Sequence, residues 1–134
     1  MVLDEVHILP TDRTPEIILN PEGIIKIKGR GLAVNKTEIP KQIINWLNTY
    51  INNPAEVTYV IIAYEYLNSF STTVLVSILK RIIQVTLRSK KYVIQWYYEY
   101  DDIDILERGE YISSILNIPV EFIMTDRNEL PHNR

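Results

Sequence analysis

The stretch Val57-Thr58-Tyr59-Val60-Ile61-Ile62-Ala63-Tyr64, with Asn68-Ser69-Phe70-Ser71-Thr72-Thr73 four residues beyond it, decides the fold class. The first eight residues form a largely apolar run that is too short and too β-branched to favour helix. They read as a central strand buried on both faces. The hydroxyl and amide residues that follow offer several helix caps. The helix after them is expected to turn Val74, Leu75, Ile78, Leu79, Ile82, Ile83 and Leu87 inward. Arg88, Lys90 and Lys91 mark its end with the charge sign favoured at the carbonyl end of a helix dipole.

Upstream, Glu16-Ile17-Ile18-Leu19 and Ile24-Ile25-Lys26-Ile27-Lys28 flank Asn20-Pro21-Glu22-Gly23, the pattern of a β-hairpin. Ile39, Ile43, Trp46, Leu47, Tyr50 and Ile51 recur at three- and four-residue intervals, with Asn45, Asn48 and Thr49 opposite them. This spacing predicts one amphipathic helix over about 38–52, stopped by Asn52-Asn53-Pro54. Downstream, Tyr92-Val93-Ile94-Gln95-Trp96-Tyr97-Tyr98 is a further strand. Asp101, Asp102 and Asp104 open a third helix carrying Ile105, Leu106, Ile112, Ile115 and Leu116, and Val120-Glu121-Phe122-Ile123-Met124 is the last strand.

The expected fold is therefore α/β, in the order β-β-α-β-α-β-α-β: one mixed sheet opened by a hairpin, with three main helices packed on it through right-handed crossovers. One domain over 1–134 accommodates it, with an ordered core of about 12–124 and a polar tail over 126–134.

The 134 residues include 14 Lys and Arg against 17 Asp and Glu, a net charge of -3, with 46% hydrophobic residues. A mildly acidic surface argues against nucleic-acid partners, which are held mainly by basic side chains on phosphates. Cysteine is absent, which removes disulfides, thiolate metal sites and cysteine nucleophiles. No basic-then-apolar leader opens the chain and no apolar run approaches the length that spans a bilayer, so a cytoplasmic location with no membrane partner is expected.

Catalytic signals are few. His7 and His132 both lie in terminal segments, so a serine-histidine-acid site has no partner nearby and no catalytic residue is assigned. Gly29-Arg30-Gly31 lacks the third glycine and the lysine of a phosphate cradle and reads as a turn leaving a strand. Glu99, Asp101, Asp102 and Asp104 lack the glycine turn and the late glutamate of a calcium loop. Their reading is helix N-terminal charge, with no metal and no cofactor. The rings of Trp96-Tyr97-Tyr98-Glu99-Tyr100 should alternate between the two sheet faces.

The segment from Asn68 to Thr73 is the most informative, because it carries hydroxyls from the end of a buried strand to a helix start, where backbone N–H groups lack partners. A phosphate there would be tolerated by the fold and would alter an interface. On the simpler reading, Ser69 or Ser71 merely caps the helix.

Thr14-Pro15-Glu16-Ile17, Lys26-Ile27-Lys28-Gly29-Arg30, Trp46-Leu47, Asn53-Pro54-Ala55-Glu56, Tyr66-Leu67-Asn68-Ser69 and Trp96-Tyr97-Tyr98-Glu99 with Asp101-Asp102 form a set of stretches. Together they resemble the SiaC family of small bacterial regulatory phosphoproteins. Their order and spacing cover roughly 12–124. The resemblance implies a fold similar to the STAS anti-sigma-factor antagonists and a hydroxyl phosphorylated by a dedicated Ser/Thr protein kinase and restored by a PP2C-type phosphatase. It also implies an unmodified form that binds a signalling enzyme, typically a diguanylate cyclase.

The acceptor it implies is Ser69, ahead of Ser71 and Thr72. Asn68 would shape the turn, and Tyr64, Tyr66 and Phe70 would frame the partner surface. The chain departs from the family in having Gly31-Leu32-Ala33-Val34 where Ser-Tyr-Pro-Glu is common, and Phe70 where a small hydroxyl residue is usual. Beside this non-enzymatic switch stand two other readings: a small-molecule-binding or enzymatic domain whose pocket at the strand ends uses Tyr64, Tyr66, Tyr98, Asp101 and Asp102, and a homodimerising module.

Overall fold

The computed structural model describes residues 3–33 and 38–126, so Val34 of the departing Gly31-Leu32-Ala33-Val34 stretch, His132, and the tail past Asp126 lie outside the described residues. The hairpin forms as expected. Strands β2 (Glu16–Asn20) and β3 (Ile24–Gly31) pair antiparallel. At their turn Gly23 takes a φ of 105°, a conformation L side chains avoid, and its N–H donates to the Asn20 carbonyl at 2.9 Å.

A short strand ahead of them, β1 (Val6–Ile8), pairs antiparallel with β2. Three residues give little periodicity to read, and β1 is held in the sheet by its pairing with β2.

From β3 onward the chain alternates. Helix α1 (Glu38–Tyr50) leads to β4 (Val57–Leu67), α2 (Ser69–Ile82) to β5 (Lys91–Glu99), and α3 (Ile103–Leu116) to β6 (Glu121–Thr125). The three crossovers join parallel neighbours, and the six strands lie in the sheet in chain order. Right-handed crossovers that all step the same way place every helix on one face of the sheet. The packing agrees: one buried cluster joins Ile17, Leu19, Ile25, Ile27, Val60, Ile62, Ile94 and Trp96 of the sheet to Ile43 and Leu47 of α1, Leu75 and Ile78 of α2, and Ile105 and Ile112 of α3. The other face carries a row across all six strands: His7, Ile18, Lys26, Ile61, Gln95 and Glu121. Ile18, Lys26 and Ile61 are buried there, and β4 is buried on both faces from Val60 to Tyr64, while Tyr59, Glu65 and Tyr66 are exposed.

Two sequence expectations change. Leu87 does not face inward but is 80% exposed, and Val85 is fully buried in its place. After Ile82 the helix tightens into a 3₁₀ segment, Ile83–Arg88, whose three-residue period carries the inward face from Ile82 to Val85 and leaves Leu87 outside. Ile115 of α3 is likewise half exposed. The combined stretch Ser69–Arg88 is 20 residues long and apolar enough to cross a membrane by length and composition alone. Its Leu75, Ile78, Leu79, Ile82 and Val85 are core residues packed against the sheet.

Trp96 anchors α3. Its ring is 1% exposed, its Nε1 donates to the Ile105 carbonyl at 3.1 Å, and Gly109 lets the helix lie against the indole. A Cβ at Gly109 would sit 2.6 Å from ring carbon Cε2. Alanine is the better helix former by about 0.8–1.0 kcal/mol, but overpacking a rigid ring costs about 1–3 kcal/mol. Gly109→Ala is therefore expected to destabilise the fold by up to about 2 kcal/mol, read as a lowered urea midpoint; a raised midpoint would show that α3 does not rest on Trp96.

Glu16 links two members of this outer row, His7 and Lys26. It accepts from His7 Nε2 at 2.7 Å and lies 3.8 Å from Lys26 Nζ. Burial pushes its carboxyl up, but the His7 hydrogen bond and the charges of Lys26, His7 and Lys28 outweigh it and hold the carboxyl below its ordinary 4.5. A carboxyl lowered by folding contributes stability above pH 4.5 that is lost as the pH falls through its folded value. Glu16→Gln should thus lower stability at pH 7 and flatten its decline in acid, measured by urea unfolding from pH 7 to 3.

Candidate functional site

The ends of β3 and β4 and the first turn of α2 meet at one junction. Gly29-Arg30-Gly31 is not a turn leaving the strand: all three residues belong to β3, and Gly31 is what allows the junction to close. A Cβ at Gly31 would lie 2.8 Å from Tyr64 Cε1 and 3.0 Å from both Leu67 Cδ1 and Ser71 Cβ. The register slips there, Gly29 facing Tyr64 and Arg30 facing Tyr66, so Glu65 is the extra residue of a bulge. Bulges re-aim side chains. Here Tyr64 and Leu67 stay in the core while Tyr66 turns out, its ring 5.3 Å from the Arg30 guanidinium, with Glu65 3.7 Å from Arg30 Nε.

Asn68 is the helix cap, in place of Ser69 or Ser71. Its φ of -85° and ψ of 177° are extended, and its Oδ1 accepts from the Ser71 N–H at 2.8 Å. Its backbone N–H donates to the Gly31 carbonyl at 2.8 Å and its Nδ2 to the Ala33 carbonyl at 3.0 Å. One side chain thus ties the loop after β3 to the start of α2.

This arrangement separates the three hydroxyls that sequence reasoning left together. Ser71 is buried beneath Gly31 at 8% exposure. Thr72 is half-buried, and its hydroxyl donates to the Asn68 carbonyl at 2.8 Å. Ser69 is exposed, and its hydroxyl makes no hydrogen bond among the described residues. The aromatic frame is less uniform than expected. Tyr66 is 54% exposed and Phe70 half-buried, but Tyr64 is 8% exposed, a core ring and not a rim one, and burial pushes its phenol pKa up.

Two cavities flank the first turn of α2. On one side a pocket of about 450 Å³ has largely apolar walls, including Pro15, Ile17, Ile39, Ile43, Phe70 and Val74, with Asp12, Arg13 and Glu38 also lining it. On the other a groove of about 390 Å³ is lined by Ser69, Thr72, Asp104, Glu107, Arg108 and Tyr111. In that groove Arg108 Nε donates to Asp104 Oδ2 at 3.0 Å. An exposed pair at this spacing is worth about 0.3–0.5 kcal/mol, little enough to be exchanged for a better partner.

The strand-end pocket of the rival reading is small. A cleft of about 180 Å³ is lined by Tyr64, Tyr66, Tyr98 and Asp102 among others, without Asp101, below the roughly 300–1,000 Å³ usual for ligand sites. Asp102 is the cap of α3, accepting from the Ile105 N–H at 3.1 Å, and Asp104 pairs with Arg108. Among the described residues no three His, Asp or Glu come together as a metal site. Of the aromatic run, Trp96 is core, Tyr97 and Tyr98 are half-buried and Tyr100 is exposed.

The geometry defines a single α/β domain with its helices on one face of the sheet and an exposed serine at the start of the helix after the central strand. The chain belongs to the SiaC family of regulatory phosphoproteins, whose family model matches residues 8–125. Among solved structures it is similar to apo-SiaC from Pseudomonas aeruginosa, with a TM-score of 0.76 at 20% identity over 91% of this chain and 98% of that one. It is also similar to a chain in the crystal structure of the diguanylate cyclase SiaD in complex with its activator SiaC from the same organism, with a TM-score of 0.81 at 20% identity over 90% of this chain and 99% of that one. Comparison with curated protein sequences returns no match.

Asn68→Ala removes the cap and the tie to Ala33 together and is expected to cost about 1–2 kcal/mol in urea unfolding. Asn68→Asp keeps an acceptor for Ser71 and loses the donor to Ala33, so it should fall between alanine and wild type. Equal losses for both variants would place the value of Asn68 in the loop tie and not in the cap.

Proposed function

We propose that this chain is a non-enzymatic partner switch set by reversible phosphorylation of Ser69. The single observation that supports it most is the division of labour at the helix start: Asn68 makes the cap, which leaves the Ser69 hydroxyl exposed and unbonded among the described residues. Family membership supplies the class of regulation. In this reading the unmodified form binds and regulates a signalling enzyme such as a diguanylate cyclase in the cytoplasm. A Ser/Thr protein kinase modifies Ser69 and a PP2C-type phosphatase restores it.

Tyr66 and Phe70 form the apolar part of the contact surface, with Asn68 holding the turn and Tyr64 supporting it from beneath. A phosphate carries a charge of about -1.5 to -2, and beside the positive end of the α2 dipole it leaves the fold intact. Placed in an interface, the same charge opposes docking by desolvation and repulsion. A loss of about 3 kcal/mol weakens binding more than a hundredfold.

The test combines phosphosite mapping with binding. Protein isolated from its own cells should carry phosphate at Ser69 in a fraction that changes with growth conditions, and Ser69→Ala should abolish it. Unmodified protein should bind the cyclase, phosphorylated protein should bind at least a hundredfold more weakly, and Ser69→Asp should fall between them because a carboxylate has less charge and fewer acceptor oxygens. Equal binding by the alanine, aspartate and phosphorylated forms would sink the switch.

A second reading has one observation in its favour. The pocket between α1 and α2 is large enough for a small molecule and its walls are mostly apolar. A stabilising thermal shift with an apolar ligand, lost when Val74→Trp fills the pocket, would support it.

A further inference from the structure

The groove on the α3 side of Ser69 contains one cation among its lining residues, Arg108, and two acids, Asp104 and Glu107. Among the described residues the Arg108 guanidinium is held only by Asp104, and both side chains are open to water, at 42% and 73% exposure. A phosphate on Ser69 would enter this groove as a dianion with three acceptor oxygens. It would compete with a single carboxylate for a guanidinium whose planar fork matches phosphate in a bidentate geometry. Asp104 and Glu107 oppose its entry by like charge, while Tyr111, on the same wall, is neutral.

The two influences on the phosphate therefore differ in sign, and the contest is between a charge-assisted bidentate contact and two carboxylates without one. The short-range, directional contact prevails, because exposed carboxylates with no hydrogen bond to the phosphate act on it only through the high dielectric of water. We propose that Arg108 is the intramolecular receiver of the phosphoryl group on Ser69. On modification its guanidinium leaves Asp104 and bridges α3 to the first turn of α2. The bridge fastens the two helices together where the groove was open and turns the freed Asp104 carboxylate outward. Modification then rewrites the charge and shape of this flank in a fixed geometry, which a carboxylate at position 69, one methylene long and planar, does not reach. The inference rests on Ser69 being the modified residue.

The experiment installs phosphoserine at position 69 of the full chain during translation, so no kinase is needed, and follows its ³¹P resonance against pH at low salt. The second ionisation of the phosphate should lie below its ordinary value of about 6. Arg108→Gln should raise it by at least about 0.5 unit, a threefold change in proton affinity, and Arg108→Lys, which keeps the charge without the fork, should recover part of the difference. An ionisation above about 6 in the otherwise wild-type protein would mean that Asp104 and Glu107 govern the site, and an Arg108→Gln shift under about 0.2 unit would mean that Arg108 does not touch the phosphate. Either result overturns the proposal. Thermal unfolding of the same variants without the phosphate should shift by no more than the loss of one exposed ion pair accounts for, since Arg108 is at the surface. Whether cells modify Ser69 is read separately by phosphosite mapping, so a failed acceptor assignment and a failed receiver give different results.

Discussion

Gly31 lacks a side chain, and the junction of β3, β4 and α2 is built on that absence. Three groups close to 2.8–3.0 Å of where its Cβ would stand, one from Tyr64, one from Leu67 and one from Ser71. Any larger residue would push the start of α2 away from the sheet. With the helix drawn in, Asn68 reaches the Gly31 and Ala33 carbonyls and caps α2 in one arrangement. The burial of Ser71 and the exposure of Ser69 both follow from that close approach.

The same junction explains how a surface change could be large while the fold stays put. The core beneath it is a single cluster running from Ile17 in β2 to Ile112 in α3, and neither Ser69 nor the groove beside it contributes to that cluster. Charge added at the helix start meets the positive end of the α2 dipole and exposed surface side chains, with no buried apolar surface to desolvate within the chain itself. The penalty falls on whatever docks there.

Much of the fold was legible in the sequence because periodicity is local. The three- and four-residue spacing of Ile43, Trp46, Leu47 and Tyr50, the β-branched run of β4 and the Pro-Gly turn before β3 each name their element without help from distant residues. The misreadings have equally definite causes. Leu87 follows the helical period, but the chain tightens to three residues per turn after Ile82 and buries Val85. Strand β1 has too few residues to show a pattern. Gly29-Arg30-Gly31 looked like punctuation because glycine serves both turns and close approaches, and a single sequence does not distinguish them.

By itself the sequence determined an α/β domain of alternating strands and helices, the faces they bury and the short segment in which a modifiable hydroxyl would lie, since each of these is written in neighbours a few residues apart. Only the tertiary structure decided which of Ser69, Ser71 and Thr72 is exposed and unbonded among the described residues, that Asn68 and not a serine caps the helix, that Tyr64 lies in the core and that Arg108 lines one groove with Ser69. Those outcomes depend on residues some 35 to 40 positions apart, Asn68 bonded to Ala33, Ser71 packed under Gly31, and Ser69 and Arg108 lining one groove. No local period encodes them, because they exist only once the sheet has set β3 beside β4 and the helices have packed on a common face.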